Sequence, residues 1–328
     1  MKNKNLAQIA QRSGVSKSTV SRVLNNCPGV DGQLREAVIG ELREEYAATA
    51  KVEAPADVCM ILPDNPKFFW GRARDAANAF ETRFRIRTYV YSSLSRGEVL
   101  NDYFDRIEQS NIRAVIFVGL MDPDIQQRLE RLAQTRLLIQ LCEYTPIANS
   151  FFVGSNAYLD GERLGRELLA RVGKNDPRRV VVVGGHDNYN CRLREEGFLH
   201  AVKGEISVAQ VDAPSELSLW SSHFARALSG VSGEIGFVFC PDGMTAQSCE
   251  GLRKLKSPSP IGYFGFEDSP AAKKYWERGD VCALVVQDLF RQTQTALRLC
   301  ETYLCAHLYP DQKMIYIDSE LRKASDKE

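Results

Sequence analysis

The chain has 328 residues, 44% of them apolar, and its 42 basic and 42 acidic residues cancel to a net charge of zero. A length of this order exceeds one small domain and suits two or three, while the cancelled charge means that any grip on a polyanion must come from local clustering. No run of about 18 apolar residues occurs, which argues against a membrane span.

Residues 5–25, NLAQIAQRSGVSKSTVSRVLN, read as two short helices joined by a tight turn. Leu6, Ile9 and Ala10 recur at helical spacing, and Val15, Val20, Val23 and Leu24 repeat the pattern after the turn. Asn5 with Gln8 is a candidate capping box, and Ser16 is a candidate N-cap for the second helix. Gly14 falls where a tight turn needs a backbone angle closed to bulkier residues. The first thirty residues hold Lys2, Lys4, Arg12, Lys17 and Arg22 and no acidic residue. Two such helices, the second polar and basic on one face, can carry side chains into a DNA major groove. A small amphipathic hairpin with a solvated basic face is the blander alternative.

Residues 47–56, AATAKVEAPA, are small and polar with a proline and read as a linker. Apolar, strand-like runs follow at 58–62, 86–91, 114–119, 137–141, 151–154, 180–185, 236–240, 261–266 and 283–286, with amphipathic helix-length segments between most of them. A buried strand followed by a covering helix, repeated this often, predicts parallel sheets wrapped on both faces, in two tandem units. Gly184-Gly185-His186 reads as a strand-exit turn, because it lacks both the Gly-x-Gly-x-x-Gly and the Gly-Lys-Ser phosphate-loop patterns. Nine scattered cysteines without a Cys-x-x-Cys pair read as small buried hydrophobes of a reducing compartment. Four isolated histidines, at 186, 200, 223 and 307, show no metal-ligand spacing. No metal, cofactor or catalytic constellation is expected.

The segment GVSKSTVSRVLN resembles the signature of the LacI/GalR family of bacterial transcription regulators. VDGQLREAVIGELREEY, residues 30–46, resembles that family's third headpiece helix, with Asp31 as N-cap and Leu34, Val38 and Leu42 as a core stripe. The resemblance implies a fold in which an all-α helix-turn-helix headpiece is followed by α/β structure: two doubly wound parallel-sheet subdomains, like type I periplasmic binding proteins. The headpiece would span 1–46, a linker or degenerate hinge 47–56, and an effector-binding and dimerisation domain 57–328. Within the last, 57–154 and 285–310 would form the N-subdomain, and 155–284 and 311–328 the C-subdomain.

The same resemblance implies site residues. Lys17 and Ser18 would point at base edges, and Arg22 would read guanine, whose O6 and N7 a guanidinium can meet together. Thr19, Ser21 and Asn25 would position phosphates, with Leu6 and Ser16 completing the DNA-binding set. A ligand would sit in the cleft between the subdomains. Cys191-Arg192-Leu193-Arg194 with Gly197-Phe198 resembles the motif whose first arginine bonds the ligand, which selects Arg192 and leaves Arg194 structural. Pairing of Arg192 with Glu195 or Glu196 is the alternative. Gly265-Phe266-Glu267-Asp268 resembles Gly-[Phe/Tyr]-Asp-Asp, so Glu267 would accept sugar hydroxyls from one methylene further out. Asp242, preceded by Pro241 where an asparagine is more usual, joins this set with Glu143. Trp220, Phe69 and Trp70 would line the pocket with aromatic faces, and burial in a core is the alternative for Trp220 and Phe69.

One departure concerns coupling. The family's hinge motif is missing, since Tyr46 is followed by AATAKVEAPAD, shorter and without Pro-Asn or the leucine. Coupling is therefore expected to run through the spacing of two headpieces and not through a minor-groove wedge. The resulting reading is a cytoplasmic transcription regulator, a repressor and not an enzyme, working as a homodimer on pseudo-palindromic operator DNA. Its effector would be a small polar molecule of the carbohydrate class, and no membrane is involved. An N-terminus without an apolar signal core and a C-terminus without a leucine heptad favour the cytosol and a dimer. A bilobed sugar-binding or sensory protein and a DNA-tethered enzyme are the alternative classes.

Overall fold

The computed structural model describes residues 2–24, 30–35, 37, 38, 40, 41, 57–64, 67–80, 85–91, 96–119, 122–172, 176–186, 188–214, 219–255, 257, 259–306, 309, 310 and 312–324. Asn25, Cys27, Leu42, the linker 47–56, His307 and the side chains of Leu6 and Leu24 lie outside the described residues.

Helices α1 (Lys2–Arg12) and α2 (Lys17–Leu24) open the chain, and residues 32–35, 37, 38, 40 and 41 are helical as well. Ile9, Ala10, Val20, Val23 and Val38 bury one another, with Val15 and Val30 packed against them. This is the apolar stripe that the helical spacing predicts. Two details differ. Helix α1 begins at Lys2, so Asn5 lies inside it and not at its cap. Leu34 is 43% exposed, in the first turn near an exposed Asp31, so the third stripe is carried by Val38. Asp31 does cap that turn, its Oδ1 accepting from the N–H groups of Gln33 and Leu34 at 2.8 and 3.3 Å.

The chain divides into unit 1, Met1–Gly154 with Leu289–Ile317, and unit 2, Ser155–Asp288 with Asp318–Glu328. The second and third boundaries fall later than positions 285 and 311. The reason is strand pairing: Val286 still pairs with Glu320 in the second sheet, and Met314–Tyr316 pairs with 152–154 in the first.

Unit 1 holds a six-stranded sheet in the order β11 (Met314–Tyr316), β5 (Phe151–Gly154), β4 (Leu137–Leu141), β3 (Ala114–Phe117), β1 (Asp57–Pro63), β2 (Arg85–Tyr91), every pair parallel. Alternate residues serve opposite faces, as a pleated strand requires. Val58, Met60 and Leu62 pack under α3 (Lys67–Phe80) and α11 (Leu289–Ala306). Cys59 and Ile61 pack under α4 (Arg96–Glu108) and α5 (Pro123–Thr135).

Unit 2 repeats the plan in the order β12 (Glu320–Lys323), β10 (Val281–Val286), β9 (Gly262–Phe266), β8 (Ile235–Phe239), β6 (Arg179–Gly184), β7 (Val208–Asp212). Its pairs are parallel except β12, which runs antiparallel to β10 at the edge. Val180, Val182, Phe239, Phe264 and Phe266 meet α6 (Ala157–Arg171) and α7 (Tyr189–Val202) on one face. Val181, Val183, Val238 and Tyr263 meet α8 (Trp220–Ser229), α9 (Thr245–Leu252) and α10 (Lys273–Arg278) on the other. Each such side chain contributes about 1.5–3 kcal/mol by leaving water.

Helices α6 and α7 approach closely through glycine. A Cβ on Gly161 would overlap the Arg194 carbonyl, and one on Gly197 the Tyr158 carbonyl. Their contact fixes the rotation of α7 and hence the direction in which Arg194 leaves it. All eight described cysteines are free, six of them buried, and burial pushes the Cys59, Cys249 and Cys300 thiols up. Among the described residues no helix is long and apolar enough to cross a membrane.

Candidate functional site

The first candidate surface is the start of α2. Ser16 Oγ accepts the Thr19 N–H at 3.1 Å, and the Ser16 carbonyl accepts the Val20 N–H at 3.1 Å. The same hydroxyl lies 2.7 Å from Ser18 Oγ and 2.9 Å from Thr19 Oγ1. Gly14 takes φ +66° in the preceding turn, the conformation that only glycine adopts freely. Val20 and Val23 are buried while Lys17, Ser18 and Arg22 are exposed and Thr19 and Ser21 half-buried. The first turn holds no acidic side chain. A helix N-terminus carries partial positive charge, so Lys17 there raises local potential at some cost to the helix. The face is built for an anion.

The second lies at the carboxyl ends of unit 2's strands, where the loops after β6, β8, β9 and β10 supply His186, Cys240 to Met244, Glu267 and Gln287. Arg194 enters from α7, 6% exposed. Its Nη1 donates to the Pro241 carbonyl at 2.9 Å and its guanidinium carbon lies 3.9 Å from the Phe266 ring centroid, a stacked, desolvated cation. Its Nε is buried without a hydrogen-bond partner.

Glu267 is 5% exposed, at φ +65°. Its Oε1 accepts from Gln287 Nε2 at 3.0 Å, and Gln287 Oε1 in turn accepts from Ser155 Oγ at 3.1 Å. Its Oε2 has no partner. Burial pushes the Glu267 carboxyl up to about 7, against the lowering effect of the Gln287 bond and the Arg194 charge. Asp242 is also raised by burial, and burial lowers His186. Asp242 Oδ1 accepts the Met244 N–H at 2.8 Å and the Cys240 thiol at 3.3 Å, while Oδ2 lies 3.7 Å from His186 Nδ1. A guanidinium and a carboxyl, each buried with an open hydrogen-bonding position, are equipped to receive a ligand rich in hydroxyls.

Comparison with known proteins decides the family. Residues 58–307 match the periplasmic binding protein domain, and residues 5–44 match bacterial regulatory proteins of the lacI family. The chain belongs to the periplasmic binding protein domain family and carries a lacI-family helix-turn-helix. It is 25% identical over 295 residues to the HTH-type transcriptional regulator GntR of Pseudomonas aeruginosa, covering 81% of this chain and 80% of that one. With the HTH-type transcriptional regulator MalR of Streptomyces coelicolor the identity is 24% over 282 residues, with coverage of 81% and 80%. Among solved structures, GanP, a glucose-galactose binding protein from Geobacillus stearothermophilus, superposes with a TM-score of 0.73 at 13% identity, over 84% of this chain and 99% of that one. A LacI-family transcriptional regulator from Silicibacter pomeroyi superposes over 97% of each chain with a TM-score of 0.62 at 17% identity. The expected fold class and the family resemblance hold, and the chain is a DNA-binding transcriptional regulator whose relatives are regulators and not enzymes.

Within this lacI-type regulator the predicted ligand residues separate. Arg192 is exposed, its guanidinium 5.9 Å from the Tyr189 ring, and the buried arginine of the motif is Arg194. The correction follows from helix geometry: positions two apart differ by about 200° around the axis and so face nearly opposite ways. Phe69 and Trp70 lie in the unit 1 core, edge to face at 5.0 Å. Trp220 is 2% exposed in the unit 2 core, its Nε1 donating to Ser248 Oγ at 3.0 Å. All three aromatics are packed in the cores of their units, and Trp220 also faces the His186 ring at 6.4 Å between centroids. Glu143 is half-buried in unit 1 after β4, its carbonyl accepting the Gly119 N–H at 3.1 Å. Glu267 and Asp242 come together with Arg194, as expected of the first two. His186, Cys240 and Gln287 were missed, although each lies within two residues of a strand's carboxyl end, where open α/β sheets place ligands.

Proposed function

We propose that this regulator is a cytoplasmic repressor without enzymatic activity, gripping operator DNA through α2 and controlled by a sugar or sugar derivative at the unit 2 cluster. The observation that carries the ligand half is the pair Arg194 and Glu267, buried yet each holding an unpartnered polar atom. Leaving such groups unmet costs about 1–3 kcal/mol each, which a polyol would recover on binding. Among the fold's relatives, the glucose-galactose binding protein supports the carbohydrate class. Lys17, Ser18 and Arg22 meet base edges, and Ser16, Thr19 and Ser21 meet phosphates. A single short helix reads only a few bases, so two protomers present two headpieces to a pseudo-palindromic site. Coupling of about 1–3 kcal/mol changes operator affinity by 5–150-fold.

Selection from random duplexes identifies the operator, and thermal shift with a panel of sugars identifies the effector. Arg194→Ala is expected to abolish the sugar-dependent shift and Arg192→Ala to preserve it; the reverse outcome overturns the site. Arg22→Ala is expected to weaken specific DNA binding about tenfold or more while leaving the sugar shift unchanged. A protein with no preference for any palindrome over random duplex would sink the DNA half.

A further inference from the structure

His186, Cys240 and Asp242 are brought together at the carboxyl ends of β6 and β8, with one potential ligand atom from each within 4.8 Å of the others. Cys240 Sγ lies 3.3 Å from Asp242 Oδ1, and His186 Nδ1 lies 3.7 Å from Asp242 Oδ2. Around a tetrahedral zinc, bond lengths of about 2.0–2.3 Å give ligand–ligand edges of about 3.4–3.6 Å; each separation is close to that length, with the thiol and the imidazole facing opposite oxygens of the one carboxylate. We propose that these three side chains bind a divalent transition metal of the zinc type, a site that neither the regulator family nor the sugar reading supplies.

Three further observations point the same way. His186 Nε2 is buried without a hydrogen-bond partner, so no bond at that nitrogen holds the ring away from the turn of Nδ1 towards Asp242. The carboxylate plane is set by the Met244 N–H on Oδ1 at 2.8 Å, which orients the ligand as outer-shell bonds do in metal sites. Cys240, directly after β8, is fully buried beside the carboxylate. Thiolate, imidazole and carboxylate together favour a borderline-soft cation over magnesium or calcium. On binding, the thiol S–H breaks, its proton leaves to solvent and a sulfur–metal bond forms. The dication, thiolate and carboxylate then sum to zero charge beside the Arg194 guanidinium. Three protein ligands leave a fourth corner for water or for an oxygen of a bound metabolite.

Cobalt(II) is the probe. Titration of the reduced full chain is expected to give one equivalent of bound cobalt with a thiolate-to-cobalt charge-transfer band and the visible bands of a tetrahedral ion. Cys240→Ser is expected to lose the charge-transfer band, and Cys305→Ser to keep it. His186→Gln, which leaves the buried thiol in place, is expected to weaken cobalt affinity by more than the roughly 10–100-fold cost of losing an outer-shell partner. It keeps the test open should Cys240→Ser fail to fold by circular dichroism. No band in the wild type, or a band that persists in Cys240→Ser or with unchanged affinity in His186→Gln, overturns the proposal. Thermal shift with sugars in the presence of a chelator separates this site from the sugar reading, since either can fail alone.

Discussion

In unit 1 the strands lie across the sheet as β2-β1-β3-β4-β5-β11, and in unit 2 as β7-β6-β8-β9-β10-β12, the same winding built twice. What the two bury differs. In unit 1 the described buried polar residues are all neutral: Gln140, Thr145, Ser150, Gln292, Thr293 and Thr295. In unit 2 they include Asp160, Glu167, Arg194 and Glu267. Since the described residues of one copy form the winding without a buried charge, the winding itself does not call for the charges in the other. Asp160 and Glu167 secure the returning C-terminal segment, accepting from Ser319 and, at 2.6 Å, from Lys323. Arg194 and Glu267 bond Pro241 and Gln287 in the neighbouring loops and still keep open positions where strands end. The comparison teaches that a buried charged group with an open hydrogen-bonding position, in a repeated scaffold, is a candidate for function, because burial without full pairing costs stability.

The largest test of that comparison concerns the cores. Phe198 stacks on Phe239 at 3.9 Å and is fully buried, as is Phe117 in unit 1. Phe198→Ala and Phe117→Ala are each expected to cost about 3–5 kcal/mol, with hydrogen exchange accelerating mainly in the strands of the altered unit. Equal acceleration in both sheets would mean that the units do not stand separately, and the comparison would break.

A smaller effect sharpens the electrostatic half. Burial raises Glu267 from 4.5 to about 7, so between these values the native state holds a proton that the unfolded state has lost. Its contribution is fully present below pH 4.5 and is lost as pH rises through about 7, a change of about 3 kcal/mol. His186, lowered by burial, works in the opposite direction, so the quantity to measure is wild type minus Glu267→Gln. That difference is expected to change with pH across this window in denaturant unfolding followed by exchange in unit 2's strands, and to be flat in unit 1's. A pH-independent difference would remove the buried acid from the argument. The smallest effect lies in the headpiece, where Ser16→Ala removes the cap on α2 and is expected to cost about 1 kcal/mol, seen as faster exchange at Thr19 and weaker DNA binding.

Much of this is legible in the residue order. The α2 cap, the Val20 and Val23 stripe and the alternation in Val58 to Leu62 depend on local periodicity, which a chain displays in linear order. The edge strands were harder. Glu320-Leu321-Arg322-Lys323 is a polar run that becomes a strand only by pairing with Val286 to Ala283, and Val208–Asp212 is a half-exposed edge with little apolar signal.

Residue order by itself determined the lacI-type reading head, the two wound units and the carboxyl-end position of Glu267 and Asp242, because propensity, capping and hydrophobic period act over a few residues. Tertiary structure alone decided that Arg194 and not Arg192 is buried, that Trp220 is core, and that His186 meets Cys240 and Asp242. Those outcomes depend on the rotation of a helix held against Gly161 and Gly197 and on loops from different strands converging, and neither is encoded within any single stretch of chain.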